Sequence, residues 1–208
     1  FNQYTFVPQY VILAEELVPV VFAGKFFAGE ESDFEAYKAE DKKIPYRVVA
    51  SLKGKDLVGA RYEQLMPLVL PYKDADRAFR VIAGDYVSVS EGTGIVHIAP
   101  TFGADDARVA KEAGIPAMLV LDALGNPVPL VDLQGRFIEG LGKYSGMYVK
   151  NEYYAPGEEP ERSLDVQIAI QLKEENKAFS VAKHTHSYPH CWRTDKPVSV
   201  SYTHLTLP

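Results

Sequence analysis

Three ionisable side chains in the stretch GTGIVHIAPTFGADDARVAKEAGIP, residues 92–116, could form a polar site. His97 ends a β-type run, and Asp105 and Asp106 open a helical pattern after a proline-containing loop. Carboxylates beside an imidazole can bind an ammonium group and fix a water molecule by hydrogen bonding. The alternative is structural, because acidic residues favour the first turn of any helix and histidines are usually just hydrogen-bonded. The pattern alone leaves both interpretations open.

A second polar cluster lies in HTHSYPHCW, which contains His184, His186, His190 and Cys191. Histidine and cysteine are the usual zinc ligands. The spacing is poor, because His190 and Cys191 are adjacent and no second ligand pair accompanies them. We therefore expect no metal here, and the structural alternative is a loop packed by its aromatic residues and proline.

Other catalytic signatures are missing from the sequence. The GTG at 92–94 precedes a β-type run rather than a helix, so it does not match a dinucleotide-binding loop. No GxSxG, HExxH or phosphate-binding P-loop occurs. If the chain is an enzyme, these absences favour an activated water over a covalent nucleophile.

Composition narrows the class of protein. The chain has 208 residues, a net charge of −6 and one cysteine. This charge argues against binding nucleic acid through a bulk positive field, although a local basic strip remains compatible with it. The single cysteine suits a reducing cytoplasm, and no apolar run is long enough to predict a membrane span. The first residues show no leader pattern, and we expect a segment of a longer protein.

Short β-branched runs outnumber helical patterns. Strands are predicted for six runs, at 18–22, 46–51, 79–84, 86–90, 94–98 and 117–121. Helices are predicted for SDFEAYKAED, ADDARVAKEAG and SLDVQIAIQLKEENKAF, the first from a capping box formed by Ser32 and Glu35. The expected fold is a strand-rich α/β domain, barrel-like or mixed-sheet, with peripheral helices. We predict one domain at 1–198 and a vector-derived tail at 199–208, where the composition changes abruptly.

Three motifs together resemble one known family. GTGIVHIAPTFGADD, the upstream LVGARYEQLMPL at 57–68 and the downstream YPHCWRTDKPV at 188–198 occur in the order found in the editing domain inserted in isoleucyl-tRNA synthetase. The related valyl and leucyl enzymes carry an AHD-type loop after the proline, whereas this chain has TFGADD. The resemblance covers nearly the whole chain except its tail.

The resemblance implies post-transfer editing, which is hydrolysis of valine wrongly esterified to isoleucine tRNA. The implied partners are the tRNA(Ile) 3′ end carrying valine and the remainder of the synthetase. ATP would be used by the catalytic body, whose signatures this sequence lacks. Editing of another mischarged amino acid, and a non-catalytic module that binds the tRNA end, are the alternatives.

The resemblance also implies roles for individual residues. Asp106 matches the essential editing aspartate and would bind the α-ammonium group of the substrate. His97 would line the aminoacyl pocket, excluding isoleucine and placing the attacking water. The implied substrate-binding residues are Thr93, Gly94, Phe102, Gly103 and Asp105, of which Asp105 is expected to act mainly as a helix-start acid.

Two features depart from the family pattern. The threonine-rich strand that contacts the tRNA 3′ end and the substrate in the family is expected upstream of Phe1. Some family members have a CxxCWRC zinc pattern, but here Tyr188 and Thr194 occupy its outer cysteine positions. This difference supports the prediction of a metal-free domain.

Overall fold

The computed structural model describes residues 1–183 and 188–198. Its α-helices are α1 (Val18–Val21), α2 (Glu31–Ala36), α3 (Ala104–Glu112) and α4 (Leu164–Glu174). Its strands are β1 (Phe26–Ala28), β2 (Ile44–Tyr46), β3 (Leu119–Leu121) and β4 (Pro127–Pro129). Short 3₁₀ helices span Glu15–Leu17, Gly54–Leu57, Ala75–Arg77, Gly142–Tyr144 and Asn151–Tyr153. The chain divides into two compact units, one formed by 1–58, 83–97 and 170–182 and the other by 59–82, 98–169 and the described residues from 183 onward.

The first unit contains a parallel strand pair beside an aromatic cluster. Strand β1 pairs with β2 in the register Phe26↔Ile44 to Ala28↔Tyr46. The ring of Phe22 stacks on Tyr46 with centroids 4.3 Å apart and meets Phe179 edge-on at 5.4 Å. These ring contacts bury apolar surface and stabilise the unit locally.

A buried asparagine ties the start of the chain to this unit. Asn2 is fully buried, and its Nδ2 donates hydrogen bonds to the carbonyl of Ala178 at 2.7 Å and to Gln9 at 2.8 Å. Its Oδ1 accepts hydrogen bonds from the backbone N–H groups of Tyr4 and Thr5. Every polar atom of this side chain is therefore satisfied, as burial requires.

The second unit contains an antiparallel hairpin. Strand β3 pairs with β4 from Leu119↔Pro129 to Leu121↔Pro127. The Asp122 carboxylate closes the turn by accepting hydrogen bonds from the backbone of Asn126 and Leu124. The hydrogen bond from the Asn126 backbone, followed by smaller hydrogen-bond contributions, lowers the pKa of Asp122 below its usual value. Leu141 and Tyr144 are the most deeply buried large side chains of this unit, each 1% exposed.

Helix predictions agree with the structure better than strand predictions do. Helices α3 and α4 lie inside the predicted segments. Helix α2 is present too, but it begins before the predicted Ser32 cap: its N-cap is Glu30, whose N–H donates to the carboxylate of Asp33 at 2.8 Å. The capping box predicted from Ser32 and Glu35 thus placed the cap two residues too late.

The prediction of a mixed α/β fold is confirmed, but the prediction that it is strand-rich and barrel-like is wrong. Among the described residues, helical residues outnumber strand residues, and the two sheets have two strands each and do not close into a barrel. The run at 18–22 is mostly helix α1, with Pro19 in its first turn, where a proline is tolerated. The run at 46–51 contributes one residue to β2, and 79–84 contributes a single bridge between Arg61 and Arg80. The runs at 86–90 and 94–98 form no strand, whereas 117–121 contains β3.

No helix within the described part of the chain is long and apolar enough to cross a bilayer.

Candidate functional site

A tight turn leads into helix α3 in the second unit. The carbonyl of Ala99 accepts hydrogen bonds from the N–H groups of Phe102 at 3.0 Å and Gly103 at 3.1 Å. Pro100 occupies the second position of this turn, where its fixed φ is favourable. Thr101 is 2% exposed, and its hydroxyl donates to the carbonyl of Met118 at 3.4 Å. The sequence APTFG therefore forms a turn anchored against the segment before β3.

Asp106 lies in the first turn of α3 and its side chain reaches back to this turn. Its Oδ2 accepts a hydrogen bond from the backbone N–H of Ala99 at 2.8 Å. Among the described residues, no hydrogen-bond donor or cation contacts its other oxygen, Oδ1. The carboxylate is half-buried and held in place through one oxygen, so Oδ1 can accept a hydrogen bond from an external cation.

Gly103 leaves the space that this carboxylate occupies. A Cβ at position 103 would lie 2.8 Å from Oδ2 of Asp106 and 2.9 Å from its Cγ. Gly103 is the N-cap of α3, and its backbone is extended. A side chain at this position would therefore force the Asp106 carboxylate to move.

The two adjacent aspartates lie in different environments. The Asp105 side chain is 93% exposed, and its nearest cation is Arg108, whose Nη2 is 3.9 Å away. Arg108 also pairs with Glu112 at 3.3 Å. An exposed pair of this kind contributes little beyond its interaction with the helix dipole. Asp105 thus has the environment of a helix-start acid, while Asp106 has that of a positioned carboxylate.

Three of the predicted site residues lie in the first unit. The carbonyl of Thr93 accepts a hydrogen bond from the N–H of Ala14 at 2.8 Å, and its hydroxyl donates to Ile95 at 3.1 Å. Gly94 packs against Ala14, whose Cβ lies 2.6 Å from the position that a Cβ on Gly94 would take. His97 is exposed, and no described residue forms a hydrogen bond with its ring.

The expected strand at 94–98 is absent, and with it the predicted alternation that placed Ile95 and His97 on one face. Ile95 and Val96 are exposed to the same extent, 50% and 51%. The second unit thus brings Phe102, Gly103 and Asp106 together, with Asp105 turned outward. The shared pocket of His97 and Asp106 remains a prediction.

The second polar cluster is partly described. His184 and His186 lie outside the described residues, and within 1–183 and 188–198 no three potential ligands are grouped for a metal ion. The chain from 189 to 198 forms a hairpin, with the N–H of Cys191 donating to Lys196 at 2.8 Å and Val198 donating to Pro189 at 2.9 Å. Hydrogen bonding with the Thr194 side chain lowers the pKa of the Cys191 thiol.

Sequence reasoning missed two parts of the second unit. The first is the Ala99 N–H, which holds Asp106; an aspartate in the first turn of a helix could have suggested a backbone partner upstream. The second is a cavity whose cations come from segments distant in sequence, Arg77 and Lys111. No local pattern signals that arrangement, because it depends on the tertiary fold.

Comparison with curated proteins defines the class of protein to which this chain is related. The matching proteins are tRNA ligases, and they match almost the entire chain. More specifically, these homologues are named isoleucine–tRNA ligase. The chain is 55% identical to the enzyme of Cytophaga hutchinsonii over 95% of its own length, and 48% identical to that of Bacteroides fragilis over the same share. The enzyme of Porphyromonas gingivalis is 47% identical over 95% of the chain.

These matches cover only part of each relative. The chain spans about 18% of the length of the enzymes from Cytophaga hutchinsonii, Bacteroides fragilis and Porphyromonas gingivalis. No protein-family model matches the chain. The chain is therefore homologous to one segment of isoleucine–tRNA ligases, which confirms the family resemblance of its motifs.

Proposed function

We propose that this chain is the editing segment of an isoleucyl-tRNA synthetase and hydrolyses the ester of mischarged Val-tRNA(Ile). The observation that carries the proposal is the Asp106 carboxylate, fixed through Oδ2 by the Ala99 N–H with Oδ1 unpaired among the described residues. The homology to isoleucine–tRNA ligases supports the context of a synthetase. The proposed module is residues 1–198 and acts in the cytoplasm.

The need for a second, hydrolytic site follows from physical chemistry. Valine is one methylene smaller than isoleucine, and a pocket that fits the larger side chain cannot strongly reject the smaller one. A second pocket that is too small for isoleucine admits only the wrong product and removes it. Such a site must recognise the features that all aminoacyl esters share, and the α-ammonium group is one of them.

Asp106 is suited to that recognition. Its free oxygen would accept a charge-assisted hydrogen bond from the α-ammonium group, and the fixed carboxylate would orient the ester carbonyl. The side chain would not have to lose rotamer freedom on binding, because the Ala99 N–H already holds it. In this proposal Asp106 positions the substrate and does not attack it.

Water carries out the chemical step. A water oxygen bonds to the ester carbonyl carbon, and the bond from that carbon to the ribose oxygen breaks. The ribose oxygen takes up the proton that the water loses, which restores the tRNA hydroxyl and releases valine. No side chain of the sequence is an obvious general base, so we assign removal of the water proton to a neighbouring tRNA hydroxyl. His97 would help to place this water and would limit the pocket to side chains smaller than isoleucine.

The remaining predicted residues have supporting roles. Thr93, Gly94, Phe102 and Gly103 would line the path of the terminal adenosine, the glycines by allowing close backbone approach. Asp105 would act through the helix dipole, in agreement with its 93% exposed side chain. The proposed partners are the tRNA(Ile) 3′ end and the rest of the synthetase.

Deacylation assays test the proposal. The chain is incubated with Val-tRNA(Ile) and, separately, with Thr-tRNA(Val), and release of the amino acid is followed. Faster release from Val-tRNA(Ile) is expected. Preference for the threonyl ester would indicate a valyl-type editing domain, and binding without hydrolysis of either ester would indicate a non-catalytic module.

A further inference from the structure

A cavity of about 400 Å³ lies beside the C-terminal half of α3 in the second unit. Lys111 and Gly114 line it from α3 and its end, and Asp74 and Arg77 line it from the segment around the 3₁₀ helix Ala75–Arg77. Its charged groups are thus two cations and one carboxylate. The cavity was not apparent from any motif in the sequence.

The two cations have no partner inside the described part of the chain. Neither the Arg77 guanidinium nor the Lys111 ammonium forms an ion pair or a side-chain hydrogen bond there. Arg108 on the same helix behaves differently, because it pairs with Glu112 at 3.3 Å. The charges at 77 and 111 are therefore available to a ligand.

The position of Arg77 depends on a glycine. Gly114 has a φ of +65° and ends α3 in a Schellman motif, in which Ile115 donates to Ala110 at 2.7 Å and Gly114 donates to Lys111 at 3.1 Å. The Arg77 guanidinium packs against Gly114 and takes the space that a Cβ at that position would need. This packing places the guanidinium at the cavity wall in advance of any ligand.

We propose that this cavity binds a phosphodiester group of the tRNA 3′ strand, with Arg77 and Lys111 contacting the phosphate oxygens. Guanidinium and ammonium groups are the usual phosphate partners in nucleic-acid complexes. The cavity adjoins the candidate site, because Pro100 of the Ala99 turn and Ala107, next to Asp106, line its wall. In this proposal, a strand whose terminal ester reaches Asp106 would pass these cations. This inference rests on the proposed editing of tRNA.

Binding of uncharged tRNA(Ile) to the 208-residue chain tests the proposal, with fluorescence anisotropy measured over a range of salt concentrations. Arg77→Gln and Lys111→Gln should each weaken binding and reduce the salt-dependence slope by about 0.7, the value for one single-strand phosphate contact. Arg108→Gln also removes one positive charge from α3, but it should leave the affinity for tRNA and the salt-dependence slope unchanged. The proposal would be overturned if Arg108→Gln lost as much affinity for tRNA or if Arg77→Gln lost none. It would also be overturned if the unaltered chain did not bind tRNA.

Removing the negative charge of Asp74 should have the opposite effect on tRNA binding. Asp74 lines the cavity and its negative charge opposes an anion, so Asp74→Asn should strengthen tRNA binding. Asparagine tolerates the left-handed φ of +53° at this position, which keeps the fold intact. Unchanged or weaker binding by a folded Asp74→Asn variant would contradict a phosphate in this cavity.

Competition distinguishes a polynucleotide from a free anion. A tRNA(Ile) 3′-strand oligonucleotide should displace labelled tRNA from the unaltered chain, whereas inorganic phosphate at the same concentration and ionic strength should not. Equal displacement by inorganic phosphate would indicate a free-anion site and overturn the tRNA assignment. Because all arms use uncharged tRNA, failure of Val-tRNA hydrolysis would reject the editing proposal without altering these outcomes.

Discussion

The carboxylate of Asp106 accepts a hydrogen bond from the backbone N–H of Ala99, 2.8 Å away and seven residues earlier. This contact ties the first turn of α3 to the turn that begins at Ala99. It distinguishes Asp106 from Asp105, whose side chain is 93% exposed. The sequence places two equivalent carboxylates at the start of a helix, and the fold positions only one of them.

Gly103→Ala should reduce deacylation strongly with little loss of stability. The added methyl group would lie 2.8 Å from Oδ2 of Asp106, so the carboxylate must turn away from Ala99. The extended backbone at 103 accepts alanine. Single-turnover hydrolysis of Val-tRNA(Ile) measures the effect. Gly54→Ala is the matched control, because a Cβ there meets nothing within 4 Å; equal activity of the two variants would contradict the role of Gly103.

His97→Ala should widen the range of esters that are hydrolysed. If the imidazole limits the size of the pocket, its removal admits the extra methylene of isoleucine. The measurement is hydrolysis of correctly charged Ile-tRNA(Ile) by the variant and by the unaltered chain. His190→Ala, which removes a histidine outside the proposed site, serves as the control. If Ile-tRNA(Ile) stays intact with folded His97→Ala, His97 does not set the size limit.

Asn2→Ala should destabilise the first unit by about 2–3 kcal/mol, because it leaves the Ala178 carbonyl and two backbone N–H groups without their partner in a buried site. Chemical denaturation followed by circular dichroism measures the change. Gln134→Ala, at an exposed position, should change the free energy of unfolding by less than about 0.5 kcal/mol. Similar effects of both substitutions would show that the Asn2 hydrogen bonds are not structural.

Thr194→Val should raise the pKa of the Cys191 thiol. Hydrogen bonding with the Thr194 side chain is the largest cause of the lowered pKa, so the variant holds less thiolate near neutral pH. Because the thiolate is the reactive form, alkylation by iodoacetamide should be slower and its pH profile should move to higher pH. Thr194→Ser retains the hydroxyl and should react as the unaltered chain does. If the pH profile of alkylation is the same in Thr194→Val, the Thr194 side chain does not lower the pKa of the Cys191 thiol.

Local signals predicted the helices, and their physical basis explains why. Acids in the first turn, Lys111 in the last and Gly114 beyond the end indicate α3, because each acts on backbone groups within a few residues. The position of Asp106 at the start of this helix was predictable in the same way. Its hydrogen bond to Ala99 was not, since that contact depends on the shape of the intervening turn.

Strands were harder to predict, because a strand exists only where a second segment pairs with it. The run at 94–98 has suitable residues, but no segment in the described part of the chain forms a ladder with it. The run at 18–22 has β-branched residues too, yet Pro19 favours the first turn of α1. The cavity with Arg77 and Lys111 was beyond prediction for the same reason: its walls come from distant segments.

Hydrolysis of Val-tRNA(Ile) by Asp106→Asn tests most directly whether the Asp106 carboxylate binds the α-ammonium group of the substrate. This substitution keeps the size of the side chain and an oxygen for the Ala99 N–H, but it removes the charge that binds the α-ammonium group. Asp105→Asn, which removes a neighbouring exposed charge, is the matched control. We expect Asp106→Asn to fold normally and to lose deacylation, while Asp105→Asn retains it. Deacylation by a folded Asp106→Asn variant at the rate of the unaltered chain would show that the charge of Asp106 is not needed.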